Sequence, residues 1–136
     1  MAVPRRGCQP GRSMPIELTR QPGFVRLDFR GEVTNTELNE CLAELEAIER
    51  SEPTAPNRLA DLTRMLARTA PLESIRELAA RRRTAVLANP IKTAILTATP
   101  AALGFGRMFQ TLNDNPAITI RIFESEADAV RWLLED

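Results

Sequence analysis

Asp61, Thr63 and Arg64 stand close together in the chain, and Thr69, Thr97 and Thr99 supply further hydroxyls near the starts of what read as helices. A carboxylate, a guanidinium and several hydroxyls grouped this way can hold a partner carboxylate, a phosphorylated group or a small anion. They are poorly equipped for bond making at neutral pH, because the chain contains no histidine and no tyrosine. Histidine is the commonest general base and the commonest metal ligand, so the expectation is a binding role with no cofactor and no metal. Cys41 does not alter that, since it falls on an apolar helical stripe where burial raises a thiol pKa and leaves it inert. Glu40, Glu44, Glu46 and Glu49 lie off that stripe and read as a solvated helix face, with no paired acids to assign. The plain alternative for the threonine group is that the threonines are helix caps, which are common, and that Asp61 pairs locally with Arg64.

A second group is apolar. Ile95, Phe105, Met108 and Phe109 can line a pocket between a helix and a sheet for a small apolar or lipid-like ligand, in a cavity of ~300 Å³ or more. Aromatic and methionine residues at helical spacing are more often plain core. Gly104-Phe105-Gly106 has the look of a phosphate loop but lacks the further glycine and the strand–turn placement. Two glycines within a helix instead allow close packing on a neighbouring backbone, or a bend. Arg81-Arg82-Arg83 is the densest positive cluster. Three consecutive residues fan around a helix, and cations suit a helix C-terminus, so a solvated helix end is expected there and nucleic-acid binding is not.

These groups must be positioned by elements that the hydrophobic pattern predicts. Ile16 and Leu18, then Val25, Leu27 and Phe29, alternate with polar residues around Gln21-Pro22-Gly23, which reads as an antiparallel hairpin closed by Gly31. Thr34-Asn35-Thr36-Glu37 is a capping box opening a helix with Leu38, Cys41, Leu42, Leu45 and Ile48 on one stripe, ending before Ser51. Leu59 to Leu62 predicts a short buried strand, and Pro71 opens a second helix whose inner face carries Leu72, Ile75, Leu78, Ala79 and Val86. Ile91 to Ala98 is apolar on both faces, as a central strand covered by helices should be. Thr99-Pro100 caps a third helix with Leu103, Met108, Phe109 and Leu112. Ile118, Ile120 and Ile122 mark a last strand, and Ser125 opens a fourth helix with Val130, Leu133 and Leu134. The order β-β-α-β-α-β-α-β-α implies an α/β domain with a mixed five-stranded sheet, antiparallel at its opening hairpin and parallel afterwards.

Composition agrees with one globular domain. The chain has 136 residues, 43% hydrophobic and 26% charged, enough for a core and too apolar for global disorder. Residues 1–13 hold three arginines and no acid, and are expected to be a disordered leader or a non-native extension preceding a single domain at 14–136. Without them the net charge moves from zero to −3, fifteen basic against eighteen acidic residues, which gives no electrostatic reason for nucleic-acid binding. No run approaches the ~20 apolar residues of a transmembrane helix. Cytoplasmic residence is the default, and with Cys8 in the leader a structural disulfide with Cys41 is not expected.

Over residues 14–136 the chain resembles the SpoIIAA-like (STAS/SEC14-type) family of small bacterial proteins. The resemblance rests on Phe29-Arg30-Gly31-Glu32-Val33-Thr34 leading into an acidic helix, Leu59-Ala60-Asp61-Leu62 and Gly104-Phe105-Gly106-Arg107-Met108-Phe109. The closing run from Ile120 through Phe123, Ala129, Trp132 and Leu133 is its most distinctive part. It implies the same fold and a regulatory, protein-binding or ligand-binding role, and it weighs against an enzyme. Anti-sigma-factor antagonists of this kind have Asp-x-Ser/Thr after the third strand, matched here by Asp61-Leu62-Thr63, and then Asp-Ser-Ser-Gly bearing a phosphorylated serine. That second segment falls on Thr69-Ala70-Pro71-Leu72, which has no serine, so the phosphoserine switch is not implied. Thr63 and Thr69 are the hydroxyls in that region, with Arg64 and Arg68 able to pair with an added phosphate. Three alternative expectations follow: a regulatory or protein-interaction module whose partner is another protein or a second copy of the chain; a small apolar-ligand site lined by Ile95, Phe105 and Phe109; or an enzyme built on two convergent acids.

Overall fold

The structure is a computed structural model that describes residues 16–68 and 72–135. Strand β1 (Ile16–Gln21) turns at Pro22-Gly23 into β2 (Phe24–Val33), the two pairing antiparallel from Ile16↔Phe29 to Gln21↔Phe24. Gly23 takes φ 87°, the left-handed value that a Pro-Gly turn requires of its glycine. Helix α1 (Asn35–Ser51) follows, then β3 (Asn57–Arg68), α2 (Leu72–Arg83), β4 (Ile91–Leu96), α3 (Pro100–Leu112), β5 (Ile118–Phe123) and α4 (Glu126–Leu134). This is the expected element order. The sheet runs β1-β2-β3-β4-β5, with every pair after the first parallel.

A sheet whose strands are added in one direction by right-handed crossovers receives all its crossover helices on the same face. Here α1, α2 and α3 cover the face carrying Leu27, Leu62, Ile95 and Ile120, with Leu38, Cys41, Leu45 and Phe105 packed into one core. The opposite face would be left wet, and α4 folds back over it. Ala129, Trp132 and Leu133 bury Phe24, Leu59, Ala94 and Leu96 in a second cluster. The double coverage explains why β4 is apolar on both sides. Thr34 caps α1 with both bonds of a capping box present, Thr99 caps α3 and Ser125 caps α4.

Five local expectations need correction. Gly31 does not end β2; it sits inside the strand at φ 62°, next to a register shift against β3, so the positive φ is absorbed by an irregularity and pairing resumes to Val33. Strand β3 is twelve residues long, because parallel pairing with β2 holds it beyond the apolar run that marks its start. Val86 lies past α2 and is 98% exposed: the helix ends at Arg83 and a turn from Ala85 N–H to the Arg82 carbonyl carries the chain away from the core. Strand β4 stops at Leu96, and α1 includes Ser51.

Candidate functional site

Asp61 is the last residue of β3 paired with β4, and its carboxylate is buried where the two strands part. The parallel register with β2 slips here, from Asp28↔Asp61 to Arg30↔Arg64, so the Asp61-Leu62-Thr63 segment is a β-bulge. Asp61 Oδ1 pins that bulge by accepting from the Thr63 backbone N–H at 2.9 Å and from the Thr63 hydroxyl at 2.6 Å. Its other oxygen accepts from Arg26 Nη2 at 2.6 Å. Arg26 also donates to Asp28 and to Glu126, both at 3.0 Å, tying β2, β3 and the first turn of α4 together. Burial alone would weaken the Arg26 charge, but the hydrogen bonds and charges of Glu126 and Asp28 outweigh it and raise the guanidinium pKa above its usual value.

The expected local pair of Asp61 with Arg64 is therefore replaced: Arg26 reaches the carboxylate from the neighbouring strand, while Arg64 is exposed. The three carboxylates and one guanidinium bonded together here sum to a charge of −2, with Arg64 exposed beside them. Thr97 is buried, its N–H bonded to the Phe123 carbonyl. Thr99 is exposed and accepts from the Ala102 N–H as the α3 cap. Thr69 lies outside the described residues. Of the six residues expected at this edge, Asp61 and Thr63 are bonded to each other, Arg64 follows Thr63 directly, and Thr99 serves as a cap.

A second polar cluster was missed in the sequence. Glu49, expected on a solvated face, has a side chain only 7% exposed. It accepts two bonds from Arg82, at 2.9 and 2.6 Å, and a third from Arg58. Arg58 and Arg82 are themselves buried, so Arg81-Arg82-Arg83 is not uniformly a solvated helix end. Only its middle residue turns inward, drawn to the buried acid, while Arg81 pairs at the surface with Glu46. Spacing held a signal: Glu49 is four residues beyond Leu45 and continues the stripe of Cys41 and Leu45. Burial and then the like charge of Arg82 lower the Arg58 pKa, with Glu49 opposing. Burial pushes Glu49 up, yet the Arg82 hydrogen bonds and the Arg58 charge more than reverse this and hold it below the usual carboxylate value. The trio carries a net charge of +1.

The two arginines of the trio, Arg58 and Arg82, line a chamber of about 90 Å³ between α1, α2, α3 and the sheet, while Glu49 stands behind them. Leu27, Phe29, Leu42, Ile95, Phe105 and Phe109 line it, with Arg58, Arg82 and Asn113. Three of the four residues expected for an apolar pocket thus meet there, while Met108 packs against the core without lining the chamber. The volume is smaller than the ~300 Å³ typical of drug-sized sites. Two of its lining residues each hold a buried polar atom with no hydrogen-bond partner, Arg58 Nε and Asn113 Oδ1. Gly106 brings α3 close to the sheet, since a Cβ there would stand 3.2 Å from Ile95 Cγ2; Gly104 has nothing within 4 Å and plays no such part.

Among the described residues no group of three His, Cys, Asp or Glu side chains could hold a metal ion. No helix among them is long and apolar enough to cross a membrane. No protein-family profile and no curated protein matches the sequence. Among solved structures, the chain is similar to an uncharacterised protein of the DUF3478 family from Shewanella loihica, which has a SpoIIAA-like fold. The likeness has a TM-score of 0.59 at 16% identity, covering 87% of this chain and 91% of that one. An opening antiparallel hairpin, three parallel crossovers on one face and a closing helix on the other thus make this chain a domain of SpoIIAA-like fold.

Proposed function

We propose that the chain is a non-enzymatic regulatory or protein-interaction module of the SpoIIAA-like type, working without the phosphoserine motif of anti-sigma-factor antagonists. The observation that supports this reading is the behaviour of β3 at Asp61. There β4 ends, and β3 continues to Arg68 paired with β2. The continuing ribbon begins at a bulge held by Arg26, Asp61 and Thr63, and presents Arg64 to solvent. Bulges re-aim strands beside functional sites, and a strand edge free of its neighbour is a surface for another chain.

The test is affinity capture with the full chain beside a Thr63→Ala/Arg64→Ala double variant whose melting temperature is checked against wild type. Recovery of one protein by wild type and its loss in the variant supports the reading. Equal recovery moves the contact surface elsewhere, and a chain that captures nothing under either condition counts against an interaction role.

The chamber favours a second reading, a site for a small ligand with an apolar body. It is lined by Ile95, Phe105 and Phe109 and is too small for a lipid without displacement of its walls.

A further inference from the structure

We propose that the chamber beneath α1, α2 and α3 binds a short-chain monocarboxylate, with Arg58 holding the carboxylate. This rests on the second reading above and goes beyond it by naming the ligand class. Buried charge is costly unless compensated, and the buried cluster of Glu49, Arg58 and Arg82, whose two arginines line the chamber, has one positive charge more than it has negative. Arg58 is 5% exposed, and its Nε–H faces no acceptor, although one arm of the guanidinium is committed to Glu49. A buried donor without a partner is a recurrent cost; an incoming carboxylate oxygen would remove it and neutralise the cluster at once. Asn113 Oδ1, the other unpartnered atom, is an acceptor and takes no part in holding an anion.

The remaining walls set the size and character of the tail. They are almost wholly hydrocarbon, from Leu27, Phe29, Leu42, Ile95, Phe105 and Phe109. A volume of about 90 Å³ is roughly three times the share of one water and well short of the ~150 Å³ that accepts benzene. An acid of about four carbons fits that room; a long-chain acid does not. The acidic corner at Asp61 lies on the opposite face of the sheet, under α4, so the two sites are separate.

The test titrates butyrate, 1-butanol and butylammonium into the isotope-labelled full chain and follows backbone amide shifts. Saturable shifts at Ala60, Ile95 and Phe105 with butyrate, at least tenfold weaker binding of 1-butanol and none of butylammonium are expected. Arg58→Gln should weaken butyrate at least tenfold and leave 1-butanol unchanged. Because that variant alters the buried trio and can impair folding, Ala60→Leu provides a second route: it fills the chamber from β3, leaves the charges in place and should abolish the butyrate shifts. Equal binding of butyrate and 1-butanol overturns the carboxylate assignment while leaving an apolar site. Butylammonium binding as well as butyrate also overturns it. Shifts with butyrate that persist in Ala60→Leu place binding elsewhere and overturn it too, and no binding of any probe removes the second reading along with it.

Discussion

Replacing Glu49 with glutamine keeps the size of the side chain but removes the one negative charge between two guanidinium groups that are 6% and 5% exposed. Removing one partner of a buried ion pair costs ~3–5 kcal/mol because the opposite charge is stranded. Glutamine still offers an acceptor oxygen, so Glu49→Gln is expected near the lower end, about 3 kcal/mol. Against a total stability of ~5–15 kcal/mol, the variant should still fold. At a urea m-value of about 2 kcal/mol/M, the midpoint should fall by roughly 1.5 M with m unchanged. Glu46→Gln is the internal control: its pair with Arg81 is 23% and 44% exposed, and such pairs are worth ~0–1 kcal/mol. The two variants should also differ in pH response. Glu49 titrates below its ordinary value in the folded state. Its stabilisation is therefore present above an unfolded pKa of about 4.3 and is lost as pH falls through the lower folded value. The gap between wild type and Glu49→Gln should accordingly narrow on acidification. A Glu49→Gln midpoint within about 0.3 M of Glu46→Gln, or a gap that widens in acid, would refute the buried-trio reasoning.

Three further outcomes are expected. Gly104→Ala should raise stability by ~0.5–1 kcal/mol from helix propensity alone, since its Cβ meets nothing within 4 Å; Gly106→Leu should lower it by ~1–3 kcal/mol by forcing α3 off Ile95 and Ile122. Thermal melts of the pair separate the two glycines, and a loss in Gly104→Ala would contradict the assignment. Thr34→Ala should cost ~0.5–2 kcal/mol through loss of the α1 capping box, read as a lower melting temperature with helical circular dichroism retained. Asp61→Asn should cost ~1.5–3 kcal/mol by weakening the charged bond from Arg26. Its signature is faster amide exchange at Thr63, whose N–H the carboxylate holds, and unchanged protection there would argue against a pinned bulge.

The parts of this protein legible in the sequence are those fixed by near neighbours. Alternation at Ile16, Leu18, Val25, Leu27 and Phe29 marked the hairpin, and Thr34 with Glu37 marked the start of α1, because period and capping are written within a few residues. Ile95, Phe105 and Phe109 could be grouped because helix and strand periodicity told which sides face inward. The buried trio was not legible: Glu49 meets Arg58 nine residues away and Arg82 thirty-three away, and each has the composition of a surface residue. Nor was Arg26 as the partner of Asp61, thirty-five residues distant, or the length of β3 beyond Leu62. Local periodicity says which way a side chain points, but only the packing of α1 and α2 over one sheet face says what it meets there. That packing decides whether a charge is solvated or buried with a partner, and so whether it is decoration or a site.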